Sequence, residues 1–154
     1  MQVAGNETSD QMRAVQAHSD RIRTALRWLL ALFYTVAGVF HLVRPGPFVT
    51  ITPFWVPLPH EVVLATGIAE LAGVIALLQP WSLALRRAAG IGLALYAVCV
   101  FPANINHMVL DMAKPLPVLG WGYHIPRMFA QPLLVWLALW VGSVIEWPFS
   151  RRSP

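Results

Sequence analysis

Four runs of apolar residues, each close to the length that crosses a bilayer, constrain this chain more than any other feature. About 20 helical residues are needed to cross a hydrocarbon core about 30 Å thick. The runs lie at about 25–43, 62–78, 83–106 and 126–145. They predict an all-α integral membrane protein, folded as a four-helix bundle.

The composition agrees with that prediction. The chain of 154 residues is 57% hydrophobic and only 12% charged, whereas soluble domains are about 25% charged. A core of this size could not bury so much apolar surface, so the lipid bilayer is the expected partner. The net charge is +4, but the cations lie in small groups at the ends of the apolar runs. This pattern is typical of membrane topology signals and argues against nucleic-acid binding.

The distribution of cations predicts the orientation of the bundle, because most of them fall on the side that carries both termini. The positive-inside rule places that side in the cytoplasm. The predicted organisation is a polar tail at 1–20, a four-helix domain at 21–148 and a basic tail at 149–154. Eight arginines fall on the inner side and three cations on the outer side: Arg13, Arg21, Arg23, Arg27, Arg86, Arg87, Arg151 and Arg152 against Arg44, Lys114 and Arg127.

Two further patterns concern packing. Small residues four apart let helix backbones approach closely in lipid, and three such pairs are present: Ala69 with Gly73, Ala88 with Gly92, and Gly90 with Ala94. The segment 44–60 contains five prolines, which predict an irregular chain rather than a helix. It is expected to lie in the interface or to fold over the mouth of the bundle as a lid; a passive interfacial loop is the alternative.

Glu70 is the clearest candidate for a functional residue. An ionisable group near the centre of a bilayer costs several kcal/mol unless it is paired or used. Glu70 shares a helix face with Thr66 and Gly73, so it is expected to point into the bundle. It is either a ligand or proton site, or a structural group, as one half of a buried ion pair or as a protonated carboxyl that holds helices together.

The other polar residues of the apolar runs gather in the outer half of the predicted bundle. Glu70 is predicted to lie within reach of Arg127, His41 or Gln131. Of these, Arg127 is the expected cation, because a guanidinium can bind a carboxylate with two hydrogen bonds. The three histidines among them share no metal-ligand spacing, and no metal site is expected. The candidate ligand or proton site therefore comprises Glu70, Arg127, His41, Asn104, Gln131, His107 and His124.

Four segments resemble the DoxX family over residues 25–145. They are GVFHLVRPGPFVTITPFWVPLPH, ATGIAELAGVIALL, RRAAGIGLALYAVCVFPANINH and HIPRMFAQPLLVWLALW. The resemblance implies a small four-helix protein of the bacterial inner membrane. Because the family is named after a subunit of a thiosulfate:quinone oxidoreductase, it also implies a quinone as a candidate ligand.

These observations leave two hypotheses for function. In the first, the protein is a redox-accessory subunit that binds a quinone or another lipophilic ligand in the outer half of the bundle. The sequence has no flavin or nicotinamide fingerprint, so no intrinsic cofactor is predicted and no catalytic residue is named. Electrons would have to come from a partner. The candidate partners are a redox protein and a second copy of the chain. In the second, the protein is a non-catalytic membrane subunit or assembly factor whose polar cluster is structural.

Overall fold

A computed structural model describes residues 2–147 of the chain, and the predicted tail at 149–154 lies outside these residues. The described chain is all helical, which confirms the predicted class. There are five helices: α1 (Gln2–Val43), α2 (Gly46–Ile51), α3 (Pro59–Leu78), α4 (Leu83–Met112) and α5 (Gly120–Val141).

Three of these helices are long and apolar enough to cross a membrane: Arg13–Val43 within α1, all of α3 and all of α4. At 1.5 Å per residue, the 42 residues of α1 extend about 63 Å, so this helix is about twice as long as a hydrocarbon core is thick. The helix thus begins far before the predicted start at residue 25. α5 has 22 residues and is about as long as α3. Its first half is more polar, because it contains His124, Arg127 and Gln131.

Prolines lie inside two helices without ending them. α4 continues through Pro102 to Met112 instead of ending near 106, and α5 begins at Gly120, well before the predicted start at Pro126. A proline inside a helix removes one backbone donor and bends the helix, while packing against neighbours in lipid can hold the segment together. α5 also ends at Val141 rather than near 145.

The long helices surround a core that fills one half of the bundle. This half contains the ends of α3 and α5 and the start of α4. We call it the basic end, because four arginines lie there: Arg23, Arg27, Arg86 and Arg87. The other half lies toward α2 and the segment 113–119, which we call the lid end. The most deeply buried residues of the core come from all four long helices: Leu30, Tyr34, Leu77, Leu93, Ala138, Trp140 and Val141.

Glycines allow two close helix contacts. A Cβ built on Gly90 of α4 would lie 2.8 Å from the carbonyl oxygen of Ala138 and 3.0 Å from the Cα of Gly142. A Cβ on Gly67 of α3 would similarly lie 3.0 Å from the carbonyl oxygen of Gly38 on α1. Small residues therefore set the spacing of α4 from α5 and of α1 from α3, as expected for helices that pack in lipid.

The predicted small-residue pairs are correct only in part. Gly90 and Ala94 are both buried, and Gly73 packs against Leu93 of α4. The pair Ala88 and Gly92 is wrong, because both residues are exposed and a Cβ on Gly92 would meet nothing within 4 Å. Ala69 is exposed as well. Residues two apart point about 200° apart around a helix, so Gly90 and Gly92 cannot share a contact.

The proline-rich segment contains a helix, contrary to the prediction that prolines would exclude one. α2 begins at Gly46, and Pro47 lies in its first turn, where a missing N–H is not needed for a helical hydrogen bond. The helix packs on α3 and α4. Asn106 donates from Nδ2 to the carbonyl oxygen of Ile51 at 2.9 Å, and Phe48 stacks on His41 with 3.9 Å between ring centroids. The segment therefore folds over the mouth of the bundle.

Candidate functional site

A cavity of about 600 Å³ occupies the lid-end half of the bundle. Its walls come from the four long helices and from the segment that contains α2, and most of its lining is apolar. A few polar side chains reach into it, which is the usual form of a small-molecule site. Five of the seven predicted site residues line this cavity: His41, Glu70, Asn104, Arg127 and Gln131.

Two apolar side chains that line the cavity are also exposed on the outside of the bundle. They are Phe33 on α1 and Leu133 on α5, which are 50% and 57% exposed. The two helices meet at the basic end, where Arg27 donates from Nε to the carbonyl oxygen of Val141 at 3.1 Å. The exposed parts of Phe33 and Leu133 lie on the surface that lipid chains would cover.

Glu70 and His41 form a deeply buried pair in the wall of the cavity. Glu70 is only 2% exposed, and its Oε2 lies 3.0 Å from Nδ1 of His41. The same nitrogen lies 2.8 Å from the carbonyl oxygen of Ala37, one turn back on α1. Since a carbonyl oxygen can only accept, Nδ1–H donates to Ala37 while the carboxyl group of Glu70 lies against the same edge of the ring. The hydroxyl of Tyr96, on α4, lies within hydrogen-bonding reach of that carboxyl group.

The prediction that Glu70 faces the bundle within reach of Arg127, His41 or Gln131 is confirmed through His41, but the choice of Arg127 as its cation is wrong. Arg127 donates from Nη1 to Nδ1 of His107 and to the hydroxyl of Tyr123, both at 2.9 Å. Its Nη2 donates to Oδ1 of Asn104 at 2.6 Å. Arg127 therefore faces α4 and its own preceding turn, and His41 replaces it as the partner of Glu70.

A chain of hydrogen bonds links α4 to α5 beside the cavity. Asn104 accepts from Arg127 and donates from Nδ2 to Oε1 of Gln131 at 2.9 Å. Gln131 in turn donates from Nε2 to the carbonyl oxygen of Ala97, in the turn of α4 that precedes Pro102. Each amide uses both its donor and its acceptor, so their orientations are fixed by their neighbours.

His107 and His124, the other two predicted residues, do not line the cavity. His107 supports Arg127 by accepting its hydrogen bond, which leaves its Nε2 to carry the proton if the ring is neutral. His124 is completely buried, and its Nε2 lies 3.2 Å from Oδ2 of Asp111. His41 and His124 thus each lie beside a carboxyl group, that of Glu70 and that of Asp111. Among residues 2–147, no group of three or more His, Cys, Asp or Glu side chains is arranged to hold a metal ion.

Asp111 is the polar residue that the sequence analysis missed. It is 1% exposed and lies at the end of α4, where it caps the start of α5. Gly120 adopts a positive φ of 64°, a backbone conformation that glycine enters readily. The donors to the carboxylate are the backbone N–H groups of Val118 (3.2 Å), Leu119 (3.0 Å) and Gly120 (3.1 Å), Lys114 Nζ (3.1 Å) and His124 Nε2 (3.2 Å). The available signal was a carboxylate nine residues before a glycine that starts a helix. It was missed because the predicted helices end near 106 and begin again at 126, so that Asp111 and Gly120 both fell between them.

Comparison with known proteins gives one family. Neither the curated proteins nor the solved structures contain a match to this chain. Residues 30–142 match a family described as Domain of unknown function (DUF8561). The matched region runs from the middle of α1 to the end of α5, so it includes every side chain of the cavity. Since the match covers most of its length, the chain belongs to the DUF8561 family.

Proposed function

We propose that this protein binds a lipid-soluble ligand in the cavity at the lid end and serves as a redox-accessory membrane subunit, with a quinone as the ligand to test first. The observation that carries the proposal is the combination of an apolar cavity with a deeply buried carboxyl group, that of Glu70, in its wall. An ionisable group inside a membrane is costly unless it is paired or used. A ligand that brings a hydroxyl group to Glu70 would supply a further hydrogen bond.

The polar groups of the cavity suit a head group that has both donor and acceptor oxygens. Glu70 can accept from a hydroxyl group and can exchange a proton with it. Arg127 uses three of its five N–H donors on His107, Tyr123 and Asn104, which leaves two for a carbonyl oxygen of the ligand. A quinone and its reduced form offer such oxygens on a flat ring, and the largely apolar lining suits a molecule dissolved in lipid.

The choice of a quinone also draws on the resemblance to the DoxX family, which stays a prediction beside the match to DUF8561. In this proposal Glu70, His41, Asn104, Arg127 and Gln131 bind and orient the ligand. Electrons come from a redox partner protein, because the proposal assigns no intrinsic cofactor to the chain.

A structural role is the second candidate, and one observation favours it. The chain of hydrogen bonds from Arg127 through Asn104 and Gln131 to Ala97 is complete without any ligand. A non-catalytic subunit or assembly factor would need such a network only to hold α4 against α5. The two candidates differ in what they predict for variants of Glu70.

Replacing Glu70 with leucine is expected to abolish quinone binding while the protein still folds. His41 keeps its hydrogen bond to Ala37, but the hydroxyl of Tyr96 loses the carboxyl group beside it. The free energy of unfolding is therefore expected to fall by about 1–3 kcal/mol, the cost of leaving a buried polar group without its partner. Binding is measured by titrating the purified protein in detergent with a short-chain ubiquinone analogue. Glu61→Leu, at an exposed position in the first turn of α3, is the matched control and should bind normally. Unchanged binding by a well-folded Glu70→Leu variant would favour the structural role.

We further propose that α5 is a fourth transmembrane helix and that both termini lie in the cytoplasm of a bacterial cell, with the protein in the inner membrane. The four arginines of the basic end support this orientation through the positive-inside rule. Reporter fusions after Trp81 and after Ser150 should report the cytoplasm, and a fusion at Lys114 should report the opposite side. A fusion after Ser150 that reports the outside would contradict the four-span arrangement.

A further inference from the structure

Four arginines converge on the end of α5 at the basic end, opposite the cavity. Arg23 and Arg27 come from α1, and Arg86 and Arg87 come from the first turns of α4. Backbone carbonyls hold three of them in place: Arg27 Nε bonds Val141 at 3.1 Å, Arg87 Nε bonds Ser143 at 3.1 Å, and Arg86 Nη2 bonds Gln79 at 3.1 Å.

The carbonyl contacts leave the phosphate-binding edges of these side chains unused. A guanidinium has five N–H donors, and its two terminal nitrogens can grip two oxygens of a phosphate at once. Arg27 and Arg87 each donate to a backbone carbonyl from Nε, so the two terminal nitrogens of each side chain can bind phosphate oxygens. Arg23 is 8% exposed, its guanidinium carbon lies 5.0 Å from the ring centroid of Trp140, and its buried Nε has no hydrogen-bond partner.

The arginines of this cluster bring positive charges close together. Arg23 and Arg86 lie near enough to Arg27 for their charges to repel it. The C-terminal ends of α3 and α5 offset only part of this charge, since each contributes about half a negative charge.

Exposed tryptophans place the cluster at the depth of lipid head groups. Trp28, Trp81 and Trp147 are 61%, 79% and 70% exposed and lie at the basic end. Tryptophan favours the boundary between the hydrocarbon and the polar head groups, where lipid phosphates lie. Arginines at this depth are in reach of those phosphates.

We propose that the cluster of Arg23, Arg27, Arg86 and Arg87 is a binding site for a phosphate group at the membrane face, supplied by the head group of an anionic phospholipid. Trp140 and the carbonyls at the ends of α3 and α5 orient the guanidinium groups, and the unused donors bind the phosphate oxygens. This site lies at the opposite end from the cavity and does not depend on the ligand proposed there.

Native mass spectrometry of the full chain in detergent tests this site. Dioleoylphosphatidylglycerol is expected to bind about tenfold more tightly than dioleoylphosphatidylcholine, which has the same acyl chains and no net charge. Arg87→Gln, at an exposed position, should fold normally and lower the affinity for phosphatidylglycerol severalfold. Arg87→Lys keeps the charge but loses the paired donors, so it should show an intermediate loss. Arg23→Gln should lower the affinity further where it folds.

Arg44→Gln is the matched control, because Arg44 is exposed at the lid end. Adding inorganic phosphate distinguishes the sources: displacement of phosphatidylglycerol means that the site recognises the phosphate group alone, and retention means that it requires the group on a lipid. Equal affinity of the wild type for the two lipids would overturn the proposal. So would a loss of phosphatidylglycerol binding in Arg44→Gln as large as that in Arg87→Gln.

Discussion

Replacing Gly90 with valine is expected to lower the free energy of unfolding by about 3 kcal/mol. The new Cβ would lie 2.8 Å from the carbonyl oxygen of Ala138 and 3.0 Å from the Cα of Gly142. Both contacts are with backbone, which cannot turn away as a side chain can, so α4 and α5 would have to separate. That separation would disturb the buried packing of Ala138 and Val141 in the core.

Gly92→Val is the matched control for this prediction. It adds the same side chain to the same helix, but a Cβ there meets nothing within 4 Å. Its effect should stay within about 0.5 kcal/mol, as for most surface substitutions. Unfolding of both variants is followed by circular dichroism during titration with sodium dodecyl sulfate in mixed micelles. Equal destabilisation by the two substitutions would contradict the close approach of α4 and α5.

Replacing Asp111 with alanine is expected to destabilise the protein more than removing any exposed carboxylate. The change would leave three backbone N–H groups at the start of α5 and the fully buried His124 without their acceptor. Unpaired buried donors cost far more than the net gain from a hydrogen bond. The thermal midpoint in detergent should fall by several degrees, and the start of α5 should become sensitive to proteolysis.

Two comparisons sharpen the Asp111 prediction. Asp111→Asn keeps one acceptor oxygen but turns an amide donor toward backbone N–H groups, so it should be intermediate in stability. Glu61→Ala, at an exposed position in the first turn of α3, should change the midpoint little. A thermal midpoint for Asp111→Ala equal to that of the wild type would show that the carboxylate does not hold the start of α5.

The sequence was informative about depth along each helix and less so about rotation around it. Residue position gives depth at 1.5 Å per residue, so Glu70, Asn104 and Gln131 could be placed in one half of the bundle. The partner of Glu70 depends on how α1, α3 and α5 turn relative to one another, which no single helix specifies. For that reason Arg127 was expected beside Glu70, whereas His41 occupies that place.

Features formed by connecting segments were the hardest to predict. The buried role of Asp111 depends on the path of 113–119, which returns three backbone N–H groups to one carboxylate. α2 forms because Pro47 falls in a first turn, where proline is tolerated, although five prolines in the segment argued against a helix. The role of Asp111 thus depends on the path of the chain after α4, and the effect of Pro47 depends on where α2 begins. Residue types alone specify neither.

Binding of a lipid-soluble ligand in the cavity is tested most directly by a variant in which a larger side chain fills that cavity. The measurement is the titration with a ubiquinone analogue. Ala130 lines the cavity on α5, and Ala130→Phe would occupy that space without removing a polar group. Phe129→Ala, at a neighbouring position that is 74% exposed, changes the outer surface instead. We predict saturable binding to the wild type and to Phe129→Ala, and none to a fully helical Ala130→Phe. Equal binding by Ala130→Phe, or no saturable binding by the wild type, would contradict the claim.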